Sequence, residues 1–239
     1  YQLDGDQAAR TGEASDGVAR LGDGSGAPAP VRRYLEAVDV CRQAHGASAY
    51  PGSPWLLAHA LREQDAIACC ELQPEEAQAL RGVFHNEPRV TVHGRDGYAA
   101  MGALLPPRVG EVRFARGLVL IDPPYERQLA EFDIALAALA EGLRRWPQAC
   151  YALWYPIKLR RSLQPFLRAA AALEAKSALA CELLVRSDDS PLRMNGSGML
   201  LLNPPWQLDQ ALTPTLAHLR ARLGEAGASH SLRWLKAPP

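Results

Sequence analysis

Gly117-Leu118-Val119-Leu120-Ile121-Asp122-Pro123-Pro124-Tyr125 carries the most specific signal in the chain. A short apolar run bounded by turn residues is the pattern of a strand buried on both faces, as in a parallel sheet. Each of the two prolines removes a backbone donor and fixes a φ angle, so the chain leaves the strand with its carbonyls in a set direction. Asp122, an acceptor-only carboxylate beside the rigid carbonyl of Pro123, can receive two hydrogen bonds from an NH2 group. The ring of Tyr125 can stack on a flat base. A plain strand-ending turn capped by Asp122 accounts for one proline, but for neither the second proline nor the tyrosine.

Outward from this strand, short apolar runs alternate with helical stretches. Upstream, helix 55–62 leads to strand 66–72, helix 74–84 to strand 89–92, and helix 97–104 precedes strand 117–121. Downstream come helix 127–146, strand 150–154, helix 158–173, strands 178–185 and 199–202, helix 209–223 and strand 229–235. Repeated β-α units of this kind predict an α/β fold, a doubly wound and mainly parallel sheet that takes ligands at the carboxyl ends of its strands. Ahead of them, 11–21 and 31–44 read as helices separated by the Gly- and Pro-rich break at 22–30.

The acids at strand ends follow from that frame. Glu71, Asp96 and Asp122 each close one of three successive strands, and in a doubly wound sheet those positions share one edge. A carboxylate at the end of the second strand can accept both ribose hydroxyls of a nucleotide-like cofactor; capping or a solvated loop is the plainer role for Glu71 or Asp96 alone. Ser53 in Pro51-Gly52-Ser53-Pro54 is expected at a helix N-cap with Pro54 at the first helical position, and this helix start can also face the cofactor. Asn203-Pro204-Pro205-Trp206 is a near copy of the first motif. Chain order favours Asp122 over it, leaving 203–206 as a turn with a buried or pocket-side Trp206. Trp154 and Tyr155, followed by Lys158, Arg160 and Arg161, combine rings with cations as single-stranded nucleic acid is often held. A solvated helix face is the alternative for those cations.

Bulk composition narrows the class. With 239 residues, 48% of them hydrophobic, the chain is long enough for one large domain with a small insertion, and its net charge of +0 means that any nucleic-acid surface must come from local clusters. Five cysteines without CxxC spacing suit buried thiols in a reducing compartment, and six scattered histidines suggest no metal site. No apolar run approaches the length of a membrane span, and no leader pattern opens the chain. A cytoplasmic protein is expected.

The run Tyr50-Pro51-Gly52-Ser53-Pro54, Leu61-Arg62-Glu63-Gln64-Asp65, Glu71-Leu72, Asp96-Gly97-Tyr98, Leu120 to Glu126, Tyr151 to Pro156, Gly196 to Met199 and Asn203 to Trp206 resembles the J-type bacterial 23S ribosomal RNA adenine-N6 methyltransferases. Some members once carried names as DNA-utilisation or competence proteins. The similarity extends over essentially the whole chain, and this motif order is far more specific than the four-residue signature alone. It implies a Rossmann-like core over 49–239 and a small helical insertion within 1–48, matching about Thr11 to Ser48. It further implies S-adenosyl-L-methionine (SAM) as cofactor, 23S ribosomal RNA as partner, and a monomer without metal.

Implied cofactor contacts are Ser53, Glu71, Asp96 and Gly97, with Asp122 catalytic; read from the residues themselves, Asp122 is also a cofactor contact, Pro123 and Tyr125 are catalytic, and Lys158, Arg160 and Arg161 are on the substrate. Family members open with a strand and a glycine-rich loop that meets the methionine part of SAM, and this chain is expected to start just after that loop. Two alternatives stay open: a DNA adenine-N6 methyltransferase, which shares the tetrad, and a nucleic-acid-binding protein without activity. A nicotinamide-dependent dehydrogenase has no use for Asp-Pro-Pro-Tyr.

Overall fold

The computed structural model describes residues 17–123, 128–190 and 194–239. Two compact units meet in sequence between Gly97 and Tyr98. In the first, a 3-10 turn at Val18–Leu21 is followed by the expected break, with Gly22, Gly24 and Gly26 at positive φ. The rest of the helix expected at 11–21 lies outside the described residues. Helix α1, Ala29–His45, buries Val31, Leu35, Val38 and Cys41, a spacing of three to four that lays one apolar stripe inward. The Tyr34 and Tyr50 hydroxyls hydrogen-bond to each other, tying α1 to the segment before helix α2, Ser53–His59. Strand β1, Ile67–Glu71, helix α3, Pro74–Val83, and strand β2, Val90–Gly94, then form a β-α-β unit, β1 and β2 pairing in parallel from Ile67↔Val90 to Glu71↔Gly94.

The second unit takes in most of helix α4, Gly97–Leu104, and a small antiparallel hairpin, β3 (Arg108–Val109) and β4 (Val112–Arg113). Strand β5, Leu118–Ile121, helix α5, Gln128–Arg145, and strand β6, Cys150–Ile157, follow. The helix expected at 158–173 is instead a 3-10 turn, Arg160–Leu163, running into helix α6, Gln164–Ala171. Strands β7, Ala178–Leu184, and β8, Gly196–Leu202, helix α7, Leu208–Leu223, and strand β9, Ser229–Lys236, complete it.

The five-stranded sheet has the order β5-β6-β8-β7-β9. β5 and β6 are parallel, while β6 with β8, β8 with β7 and β7 with β9 are antiparallel. β5, β6 and β7 therefore run one way, and β8 and β9 the other. The α/β class stands, but the expected parallel pairing gives way to a mixed sheet from β8 onward. No helix occurs among the described residues of the connection from β7 to β8, so β8 returns as a hairpin partner rather than through a crossover.

Helices cover both faces of this sheet. On one face Phe132, Ala135, Leu139 and Leu143 of α5 and Phe166, Leu167 and Ala170 of α6 pack on Tyr151, Leu153, Tyr155 and Ile157, alternate residues of β6. The Phe132 and Phe166 rings stack at 4.3 Å. Leu208 and Leu212 of α7 pack on Ala152, Leu179 and Leu201 on the other face. Leu139 is fully buried, and truncating such a side chain to alanine costs about 2–5 kcal/mol.

Candidate active site

Strand β5 delivers Asp122 at its carboxyl end. Ile121 is buried and Pro123 partly so, while Asp122 itself is exposed to solvent. Its carboxylate has no hydrogen-bond partner among the described residues, and partial loss of water around it raises its pKa from the ordinary aspartate value. Such a carboxylate keeps its lone pairs for a ligand. Pro124 and Tyr125 lie outside the described residues.

Asn203 is placed quite differently. Its side-chain carbonyl accepts the Lys176 amide at 2.7 Å, and its NH2 donates to the Pro147 and Ala149 carbonyls at 3.1 and 3.2 Å. These bonds hold a turn whose backbone has φ 52° at Asn203. Strand direction separates the two Pro-Pro motifs: β8 runs against β5 and β6, so Asn203 lies beside the start of β6, at the sheet end opposite Asp122. Strand direction, like chain order, therefore keeps the two motifs apart. The expectation of a buried or pocket-side Trp206 fails, since Trp206 is 87% exposed, the positive φ of Asn203 and of Gln207 turning the chain out beyond β8.

In the first unit the register Glu71↔Gly94 sets Glu71 and Asp96 at one edge of the parallel pair. Glu71 Oε1 accepts the Gln73 amide at 2.8 Å, across the turn into α3, which leaves its other oxygen open to a ligand. Asp96 and Gly97 are exposed where β2 passes into α4. Ser53 corrects the sequence reading: Gly52 is the N-cap of α2, in extended backbone, and Ser53 is the first helical residue, with no side-chain cap bond at that end.

The three cations after β6 divide. Lys158 and Arg161 are exposed. Arg160 is not a free cation: its guanidinium lies 2.9 Å from the Glu182 carboxylate and donates to Ser231 Oγ at 2.8 Å, and its amide donates to Asp188 at 2.6 Å. Glu182 is 1% exposed and also accepts from the Tyr155 hydroxyl at 3.2 Å and from Ser231 at 2.9 Å. Asn195, fully buried, ties the neighbouring loops together by donating to the carbonyls of Lys158, Asp188 and Ser190 at 2.6, 3.2 and 3.1 Å. Sequence reasoning missed Glu182 and Asn195. Glu182 sits in an apolar strand and Asn195 beside a glycine, with no spacing rule to mark either.

Among the described residues, no group of His, Cys, Asp and Glu is placed to hold a metal ion, and no helix is long and apolar enough to cross a membrane.

Residues 1–236 match the family described as "Ribosomal RNA large subunit methyltransferase D, RlmJ". Ribosomal RNA large subunit methyltransferase J of Escherichia coli is 36% identical over 98% of this chain and 82% of its own length. Its namesake in Haemophilus influenzae is 34% identical with the same coverage of both chains. A crystal structure of a Legionella pneumophila protein superposes with a TM-score of 0.83 at 27% identity, over 98% of this chain and 83% of that one. Fold and relatives together define a Rossmann-like methyltransferase. The chain belongs to the RlmJ family of large-subunit ribosomal RNA methyltransferases.

Proposed function

We propose that this chain transfers a methyl group from SAM to the N6 amino group of an adenine in 23S ribosomal RNA. The observation that carries the reading is the carboxylate of Asp122 at the end of β5, partly desolvated, without a hydrogen-bond partner among the described residues and next to the Pro123 carbonyl. Adenine N6 is a poor nucleophile because its lone pair is delocalised into the ring. Hydrogen bonds from its two N–H groups to Asp122 and to the Pro123 carbonyl favour a more tetrahedral, reactive nitrogen, and orientation does the rest. Tyr125 stacks on the extruded base in this reading.

The residues present fit SAM: Glu71 has a carboxylate oxygen to spare for ribose hydroxyls, Asp96 and Gly97 are exposed where β2 passes into α4, and Ser53 stands half-buried at the start of α2. SAM supplies the electrophilic methyl group. Lys158 and Arg161 remain candidates for phosphate contact, whereas Arg160 serves by holding its loop. The reading treats 1–48 as a helical insertion on a methyltransferase core of 49–239, working as a cytoplasmic monomer.

The test is methyl transfer from isotope-labelled SAM to protein-free 23S ribosomal RNA and, in parallel, to duplex DNA, followed by nucleoside analysis. N6-methyladenosine from the RNA arm alone is expected. Label in DNA only would make the substrate DNA, and nucleic-acid binding with no label in either arm would make the chain a non-catalytic binder.

A further inference from the structure

A second basic surface lies at the far end of the same unit. In the β3–β4 hairpin Arg108 and Arg113 are register partners, directly opposite each other. Cross-strand partners project on one face with Cβ atoms about 4.5–5.5 Å apart, and like charges there repel. The stem is fixed beyond that pair by the Phe114 amide donating to the Pro107 carbonyl at 3.1 Å, so the arginines cannot separate by fraying alone.

Arg108, Arg113 and Arg116, on the way to β5, are all exposed, and none has a hydrogen bond or an ion pair among the described residues. Glu111, the hairpin's own acid, pairs with none of them. This contrasts with Arg144 and Arg145 nearby, which share the carboxylate of Glu141.

Beside the hairpin is a cleft of about 410 Å³ walled by Pro106, Arg113, Phe114, Arg145, Trp146 and Pro147. Its floor is rigid: Trp146 is 5% exposed, and its ring lies so close over Gly117 that a Cβ there would come within 2.1 Å of it. A fixed, repelling arginine pair with no ion-pair partner among the described residues, next to a cleft whose wall mixes flat apolar groups with the cations Arg113 and Arg145, matches the chemistry of a sugar-phosphate strand with a base beside it.

We propose that the β3–β4 hairpin is a second RNA-binding element, Arg108, Arg113 and Arg116 holding phosphates of the substrate strand while the adjoining cleft receives a flanking nucleotide. The proposal rests on the ribosomal RNA reading above. The hairpin enters β5 at its start, whereas Asp122 is at its end; four strand residues at ~3.3 Å each put the two roughly 13 Å apart along the strand. This element therefore grips RNA several nucleotides from the target adenine, and matters for a long substrate but not for a short one.

The test compares the full chain with the R108A/R113A/R116A variant and an R108K/R113K/R116K control. Each is titrated with a protein-free 23S ribosomal RNA fragment and with a short oligonucleotide carrying the target adenine, over a range of salt concentrations. For the long RNA, the alanine variant is expected to bind at least tenfold more weakly, and its log–log salt slope to flatten by about 2, at ~0.7 per phosphate contact on single strands. The lysine control should keep the slope, and SAM affinity and the short-oligonucleotide rate should stay at wild-type values. Equal slopes for wild type and alanine variant on the long RNA would overturn the hairpin proposal alone. Wild-type protein that neither binds nor methylates the RNA would overturn the functional reading and the hairpin proposal together.

Discussion

At the scale of single residues, Asn203 spends its side chain on holding a turn, whereas Asp122 is the residue proposed to carry the chemistry. Asp122→Ala removes the side-chain acceptor that faces the substrate NH2 group, so methyl transfer should fall by about 10²–10³-fold or more. The raised pKa fixes two signs. A protonated carboxyl would present a donor to the amino group and lose the charge that favours the reacting nitrogen, so kcat/KM should climb with pH along a limb lying above the ~3.9 of a free aspartate. A folded pKa above the unfolded one means that the native state binds more protons in that window, so Asp122 subtracts from stability as pH rises through it. Asp122→Ala should therefore match or exceed wild type in Tm at neutral pH while being inactive; an inactive variant with a markedly lower Tm would make Asp122 a structural cap. Asn203→Ala should do the reverse. It removes the side-chain bonds to Lys176, Pro147 and Ala149 and puts alanine at φ 52°, for a loss of about 1–3 kcal/mol. At ~2–4 °C per kcal/mol, Tm should drop by several degrees. The rate per folded molecule should persist, and its collapse with Tm unchanged would move the catalytic role to Asn203.

At the scale of elements, four strands are joined by one row: Tyr155 of β6, Gly198 of β8, Glu182 of β7 and Ser231 of β9 stand in register. Gly198 has a reason to be glycine, since a Cβ there would lie 2.2 Å from the Tyr155 ring, which must cross β8 to reach Glu182. Burial and the facing carboxylate push the Tyr155 phenol far upward, which keeps it a donor. Removing Arg160 leaves Glu182 buried without its cation, a loss of about 3–5 kcal/mol in a fully buried pair. Arg160 is itself 37% exposed, so Arg160→Ala should fall at the low end, read as a reduced midpoint in urea. Arg160→Met with Glu182→Leu should recover part of it; a double variant as weak as the single one would show that the pair's charge is not what matters. This row also marks the limit of what sequence made legible. Apolar runs such as 118–121 and 178–184 announce strands because burial on both faces imposes continuous hydrophobicity, and the strand-end position of Asp122 follows directly. The pairing of Arg160 with Glu182 spans three strands, so residues 22 apart meet through topology, and the sequence alone marks the cation only as a candidate phosphate contact. The two-residue strands of the β3–β4 hairpin are too short to show any period.

At the scale of the whole molecule, a net charge of +0 leaves no global field to draw in a polyanion, so RNA recognition would fall to local groups, and the proposed cofactor contacts sit at a few strand ends. Ligand linkage makes the cofactor part measurable. A ligand that binds only the folded state adds about 2.7 kcal/mol at a hundredfold excess over its Kd. For a protein of this size that is a Tm increase of about 5–10 °C. Glu71 is the residue on which this should depend most, because one of its oxygens is engaged by Gln73 and the other is open to a pair of ribose hydroxyls. Losing the Gln73 bond, at an exposed turn, should cost no more than about 1 kcal/mol, so Glu71→Ala should fold with a Tm close to wild type. The variant's SAM-induced shift should shrink to a small fraction of wild type's at equal SAM, while its affinity for 23S ribosomal RNA stays constant, since a carboxylate on the ribose does not touch the substrate. Equal thermal shifts in the two proteins would return Glu71 to capping the turn into α3, and ribose recognition would then have to come from Asp96.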